Sequence, residues 1–183
     1  MLYIVIAAAV CIVDQLVKLW AVANIGFYGT MEFIPGILRL RCEPNTGAAL
    51  SLFEEHTWIL AVISVLASVL LLVLVLGKQF PKWEKIALAM VLGGAVGNAI
   101  DRVLLGYVVD MLEMEFLPIF VFNVADVFID VGAVLFVILY IIRTIKEEKH
   151  KRGVMPELDR LKKSGDGDGM KLPEEQQDAG KDG

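Results

Sequence analysis

The stretch "FNVADVFIDVGAVLFVILYII", residues 122–142, decides how the rest of the chain is read. It is an apolar run of membrane-spanning length, yet its head carries Asn123, Asp126 and Asp130. A helix rising 1.5 Å per residue crosses about 30 Å of hydrocarbon in roughly 20 residues. An ionised carboxylate at the centre of such a helix costs about 2.5–3.5 kcal/mol on insertion scales, so acids inside a span mark a functional-site hypothesis.

Three other runs have the same character. Residues 2–23 are apolar apart from Asp14, Gln15 and Lys18; residues 58–76 carry no charge; residues 86–105 are interrupted by Asn98, Asp101 and Arg102. The fourth span covers 120–142. At 183 residues, 57% hydrophobic and with mean hydropathy +0.66, the chain is too apolar for an ordinary soluble domain. It reads as an all-α membrane protein with four transmembrane helices. The N-terminal run lacks a basic flank, and Asp14, Gln15 and Lys18 stand where a signal-peptide cleavage site would fall, so it is read as a retained span. "AAVC", ending at Cys11, has Val10 where a lipid-attachment box needs a small residue, and Cys11 is read as a core cysteine.

Basic residues set the orientation. Lys78, Lys82 and Lys85 lie between spans two and three, and Arg143, Lys146, Lys149, Lys151 and Arg152 follow span four. The opposite side has Arg39 and Arg41 beside Glu32, Glu43, Glu54 and Glu55. The positive-inside rule places both termini in the cytoplasm and loops 24–57 and 106–119 outside. Trp20 and Trp58 then fall at the outer boundary and Trp83 at the inner one.

The outer loop 24–57 has structure of its own. A Pro35-Gly36 turn followed by alternating Leu38, Arg39, Leu40 and Arg41 predicts a small extracytoplasmic β-hairpin, a cradle at the mouth of the bundle. Turn chemistry at Asn45 to Gly47 precedes Ala48 and Ala49, small residues that permit close backbone approach. From this segment alone, Asn45 reads as an ordinary turn residue. The chain divides into a membrane domain, 1–145, and a charged, mobile cytoplasmic tail, 146–183, in which "DGDGM" fails as a calcium loop because Met170 replaces an oxygen ligand. No metal and no cofactor is expected, and no nucleic-acid partner.

The polar residues of the spans share a depth. Asp14 and Lys18 lie about 18 and 24 Å along span one, Asn98 and Asp101 about 18 and 22 Å along span three, and Asp126 about 9 Å below the outer end of span four. Each set follows i,i+3 or i,i+4 spacing and makes one stripe; span two contributes none. Three stripes at one depth predict a polar pocket in the outer half of the bundle. For Asp14 with Lys18, and Asp101 with Arg102, the spacing fits interhelical packing pairs as well as site residues. Acid is in excess, because Asp14, Asp101, Asp126 and Asp130 face only Lys18 and Arg102, with Asp110 just outside in "GYVVDMLEM". Acids crowded together raise one pKa, the condition under which two carboxylates share a proton and activate water.

A proton-coupled transporter accounts for intramembrane acids but calls for repeated halves and a midplane site. A membrane thiol oxidoreductase needs a cysteine pair, and Cys11 and Cys42 form no C-x-x-C. A hydrolase with an aspartate dyad fits the residues best.

Five boxes carry a resemblance as well: "DQLVK" at 14–18, "NTGAALS" at 45–51, "GGAVGNAIDR" at 93–102, "GYVVD" at 106–110 and "FNVAD" at 122–126. In this order they resemble the signature of bacterial lipoprotein signal peptidase, signal peptidase II. The resemblance implies an intramembrane aspartic endopeptidase of the bacterial cytoplasmic membrane. It implies substrates that are prolipoproteins carrying diacylglyceryl-cysteine, cut just before that residue, and a site near the outer face that contacts membrane lipid and binds globomycin-type inhibitors. It also implies Asp110 and Asp126 as the catalytic pair, with Asp14, Lys18, Asn45, Gly47, Asn98, Asp101, Arg102 and Asn123 binding substrate or bracing the site. The sequence departs from the family at Leu50 and Met111, where Phe is common, and at Asp130, where a smaller or uncharged residue is usual.

Overall fold

The computed structural model describes residues 1–47, 57–116 and 120–165. Four helices, α1 (Leu2–Asn24), α2 (Thr57–Leu76), α3 (Lys82–Leu104) and α4 (Val124–Gly165), are each long and apolar enough to cross a membrane. The first three match the predicted spans within a few residues. Helix α4 starts later than predicted, because residues 120–123 hold a short strand and a cap, and it runs on past Ile142. No proline or glycine interrupts the chain between Ile142 and Gly153, and Arg143 and Glu147 pair one turn apart at 3.6 Å; beyond that the helix runs through Gly153 and Pro156 to Gly165. The rest of the tail, 166–183, lies outside the described residues, as do Ala48, Ala49, Leu50, Glu54, Glu55 and Pro118. Residues Met1–Tyr140 form one compact unit and Ile141–Gly183 a second.

Helix α3 is central: 56% of its apolar window is buried, against 22% or less in the other three helices. Its glycines permit this. A Cβ on Gly93 would stand 2.5 Å from the Ala7 carbonyl oxygen of α1, and one on Gly94 2.5 Å from the Ala125 carbonyl of α4. Gly132 of α4 meets the Ala87 carbonyl of α3 in the same way, at 2.8 Å. Small residues let backbones touch where lipid provides no hydrophobic drive between helices. Around these contacts Ala7, Val75, Leu88 and Leu92 form a core, and Phe80 meets Phe136 edge to face with ring centroids 5.2 Å apart.

The predicted hairpin is present, in a larger sheet. Strands β1 (Thr30–Ile34), β2 (Leu38–Asn45), β3 (Val108–Met114) and β4 (Val121–Phe122) run antiparallel in that order. Ile37 N donates to Ile34 O at 3.0 Å across Pro35-Gly36, and Gly36 has φ +74°, as a type II turn requires. Cys42, Val109 and Met111 pack on Ala21 of α1, joining sheet to bundle. Across β2 and β3, Arg41 donates to buried Glu113 Oε1 at 3.0 Å and pairs with Glu43, while Arg39 reaches Glu113 Oε2 only at 3.6 Å and Glu115 at 3.0 Å.

The β2–β3 register slips once. Leu40 faces Leu112 and Glu43 faces Asp110, so Arg41 and Cys42 both stand against Met111, a β-bulge. Since side chains alternate, this one-residue offset puts Asn45 on the same face as Asp110; an unbulged ladder would turn Asn45 to the other face.

Candidate active site

The first turn of α4 carries one of the two acids. Asn123 caps the helix: its Oδ1 accepts the Asp126 N–H at 3.0 Å, and Asp126 Oδ2 accepts the Asn123 N–H at 3.1 Å. This reciprocal pair is a capping box, in which the acid at the third helical position serves the N-terminus. Asp14 Oδ1 on α1 accepts the Ala125 N–H at 2.8 Å, so a second free N–H of the turn is also satisfied from across the bundle. Asp126 therefore lies at the helix start and not about 9 Å along a span, where the free N–H groups and helix dipole favour negative charge.

Beneath it is a buried ion cluster. Lys18 Nζ pairs with Asp14 and Asp101, both at 2.8 Å, and donates to Asn98 Oδ1 at 2.9 Å. Gln15 ties the same group from the side, donating to Asp101 Oδ1 at 2.9 Å and to the Gly97 carbonyl at 3.2 Å. Asp101 Oδ2 also accepts the Val109 N–H at 3.3 Å, which fixes strand β3 on the end of α3. With its carboxylates paired and hydrogen-bonded, the cluster is costly to break and holds α1, α3 and β3 in register. Asn98, held by Lys18, donates to Asp126 Oδ1 at 2.8 Å.

Asp110 enters from β3. Its Oδ2 accepts Asn45 Nδ2 at 2.8 Å and its Oδ1 accepts Asn123 Nδ2 at 2.6 Å. Asn123 thus joins the two acids, through its side-chain amide to Asp110 and its backbone N–H to Asp126, while its second amide proton goes to Asn98 Oδ1 at 3.1 Å. The Gly47 N–H donates to Asn45 Oδ1 at 3.0 Å, so Asn45 is a turn residue whose free Nδ2 is aimed at Asp110. Burial pushes the Asp110 carboxyl up to about 6; the amides of Asn45 and Asn123 pull it down, and the Asp126 charge raises it. Burial, with Asp110 and Glu43 nearby, also raises the Cys42 thiol, which leaves it a poor nucleophile.

The structure thus brings together Asp110, Asp126, Asn45, Asn98 and Asn123, with Asp14, Lys18 and Asp101 behind them and Gly47 orienting Asn45. Of the two roles open to Arg102, holding Asp101 or holding a catalytic acid, the first is not seen, because Asp101 is taken by Lys18; its guanidinium donates to Ser64 Oγ of α2 at 3.2 Å, within reach of the Asp126 and Asp110 charges. Helix α2 therefore does contribute a polar group, which its lack of charge concealed. Gln15 and Gly97 were also missed. Gln15 sits beside the Asp14–Lys18 stripe, and Gly97 is legible only as a packing residue, although a Cβ there would strike Asp14 Oδ2 at 2.5 Å. Among the described residues no group of three or more His, Cys, Asp or Glu side chains is disposed to hold a metal ion. A groove of about 710 Å³ between α1, α2 and α3, lined by residues such as Ala8, Val69 and Ile100, holds none of these acids.

Comparison with known proteins places the chain in a family. The family model described as signal peptidase (SPase) II matches residues 6–142. The chain is 44% identical over 149 residues to a lipoprotein signal peptidase of Enterococcus faecalis, covering 80% of this chain and 91% of that protein. It is 39% identical over 126 residues to one of Streptococcus pyogenes serotype M2, covering 68% and 83%. A solved structure described as a bacterial membrane enzyme determined by the in meso method superimposes with a TM-score of 0.68 at 30% identity, over 78% of this chain and 88% of that one.

Proposed function

Because the chain belongs to the signal peptidase II family, a family of proteases, we propose that it is an intramembrane aspartic endopeptidase that removes signal peptides from prolipoproteins, cutting just before the diacylglyceryl-cysteine. The observation that carries the aspartic mechanism is the Asn123 bridge, which ties the Asp110 carboxylate through its side-chain amide and the Asp126 carboxylate through its backbone N–H, each acid receiving a further amide from Asn45 or Asn98.

In the mechanism that follows, one acid is ionised and takes a proton from a water between the carboxylates. The resulting hydroxide attacks the scissile carbonyl carbon, and the other acid, protonated, donates to the carbonyl oxygen. Collapse of the tetrahedral species breaks the C–N bond as the amine takes back a proton, releasing signal peptide and mature N-terminus without a covalent intermediate. An Asp110 carboxyl raised to about 6 suits either role near neutral pH, and the two acids titrate as a pair. Asn45, Asn98 and Asn123 hold the acids and offer amides to an extended substrate backbone, whose polar groups find no water in hydrocarbon.

The sheet and the dyad lie at the outer face of a bacterial cytoplasmic membrane, with both termini in the cytoplasm; the Lys and Arg distribution supports this orientation. The acyl chains of the substrate rest against the lipid-facing surface, and globomycin-type inhibitors compete for the same cleft. The test is cleavage of a diacylglyceryl-modified prolipoprotein by the purified protein beside its unlipidated form. Selective cleavage of the lipidated form is expected. Equal cleavage of both would remove the lipoprotein specificity, and proton flux in liposomes without cleavage would point to a transporter.

A further inference from the structure

Asp130 is exposed and receives no hydrogen bond or ion pair from any described residue. It follows the α4 start at Val124 by six residues, about 9 Å along the helix axis. Its neighbours on that surface, Val127, Val131 and Val134, are 39%, 52% and 60% exposed, an apolar stripe of the kind that faces lipid. The face packed on α3 is marked by Ala125 and Ile129 against Gly94, and by Gly132 against Ala87. At about 100° per residue, Asp130 stands about 40° around the helix from Asp126 and about 6 Å beyond it. It therefore lies between the flank that carries the dyad acid and the surface that meets the bilayer. An exposed carboxylate in a span is costly, and it calls for a partner that the described chain does not supply.

We propose that Asp130 is a specificity-determining residue, accepting a hydrogen bond from a donor side chain of the substrate on the N-terminal side of the cleaved bond. The inference rests on the proposed function. With the cleaved bond at the dyad, the arm of the substrate that stays in the membrane is the signal peptide, and α4 leads from Asp126 into the membrane past Asp130. An axial distance of about 6 Å is about two residues of extended chain or about four of helix. A hydroxyl or amide side chain at one of those positions can donate to the Asp130 carboxylate, whereas an alanine there leaves Asp130 unmatched. A carboxylate at that position is repelled.

The experiment compares lipidated peptides carrying Ser, Ala or Asp at the second, third or fourth residue before the cleaved bond. Wild type should prefer Ser to Ala about tenfold in kcat/KM at one of these positions, mainly through KM, as expected for a hydrogen bond to a charged group. Asp at that position should be cleaved least. Asp130→Val, which removes a charge from the lipid-facing side, should lose the preference while still cleaving the Ala peptide, and Asp130→Glu should keep it. The same Ser-to-Ala ratio in wild type and Asp130→Val at all three positions would overturn the inference. Failure of wild type to cleave any lipidated peptide would overturn the proposed function itself, and the inference with it.

Discussion

Replacing Asn123 with alanine separates the tasks this residue performs. Its Oδ1 caps α4, and losing such a cap costs about 0.5–2 kcal/mol. Its Nδ2 serves buried Asp110 Oδ1 at 2.6 Å, and stranding a buried acceptor costs about 1–3 kcal/mol more. Asn98 Oδ1 still has Lys18, so the sum is about 1.5–5 kcal/mol, to be read as a fall in thermal midpoint in detergent or bicelles. The kinetic effect has a sign of its own. The amide stabilises ionised Asp110, so its removal moves the carboxyl above its present value of about 6, and the Asp110-dependent limb of the kcat/KM profile must move to higher pH. The same linkage applies to folding. A pKa raised from 3.8 on folding means that stability from Asp110 is fully present below about pH 4 and is lost as pH rises through about 6, a window the substitution widens. Asn45→Ala, which removes one amide from the same carboxylate and no helix cap, should move the limb in the same direction with a smaller loss of stability. A limb that stays put or moves to lower pH in Asn123→Ala, in protein shown to be folded, would refute the bridging role.

Gly97→Ala should destabilise the protein and reduce turnover at least tenfold, because its Cβ would displace Asp14 from both Lys18 and the α4 N-terminus; unchanged melting and turnover would show that the cluster can absorb the shift. For topology, single cysteines at Gln79 and Glu147, with Cys11 and Cys42 replaced by alanine, should resist impermeant thiol reagents in intact cells, while one at Thr30 should react. Labelling at Gln79 would reverse the orientation.

The polar stripes were legible because a charge inside an apolar helix has few innocent explanations, and Asp14, Lys18, Asn98, Asp101 and Asp126 all meet as their spacing implied. Depth was misjudged for Asp126, because Val121 and Phe122 of β4 are as apolar as the end of a span and hide the start of α4 at Val124. Strands β3 and β4 were not foreseen; "VVDMLEM" alternates weakly and is buried on both faces except near its end. The β-bulge that turns Asn45 toward Asp110 leaves no trace in composition, since it depends on the pairing of two strands far apart in sequence. Arg102 bonds to Ser64 because Lys18 occupies Asp101, and a competition between three helices is decided in space.

The most direct test of the central claim is turnover of a lipidated prolipoprotein by Asp110→Asn, Asp126→Asn and the double variant, at matched folded concentration. The acids form one catalytic unit, so each single change should abolish cleavage and the double change should be hardly worse than either. Near-normal turnover by one single variant would remove that residue from the mechanism, and near-normal turnover by both would contradict the aspartic dyad.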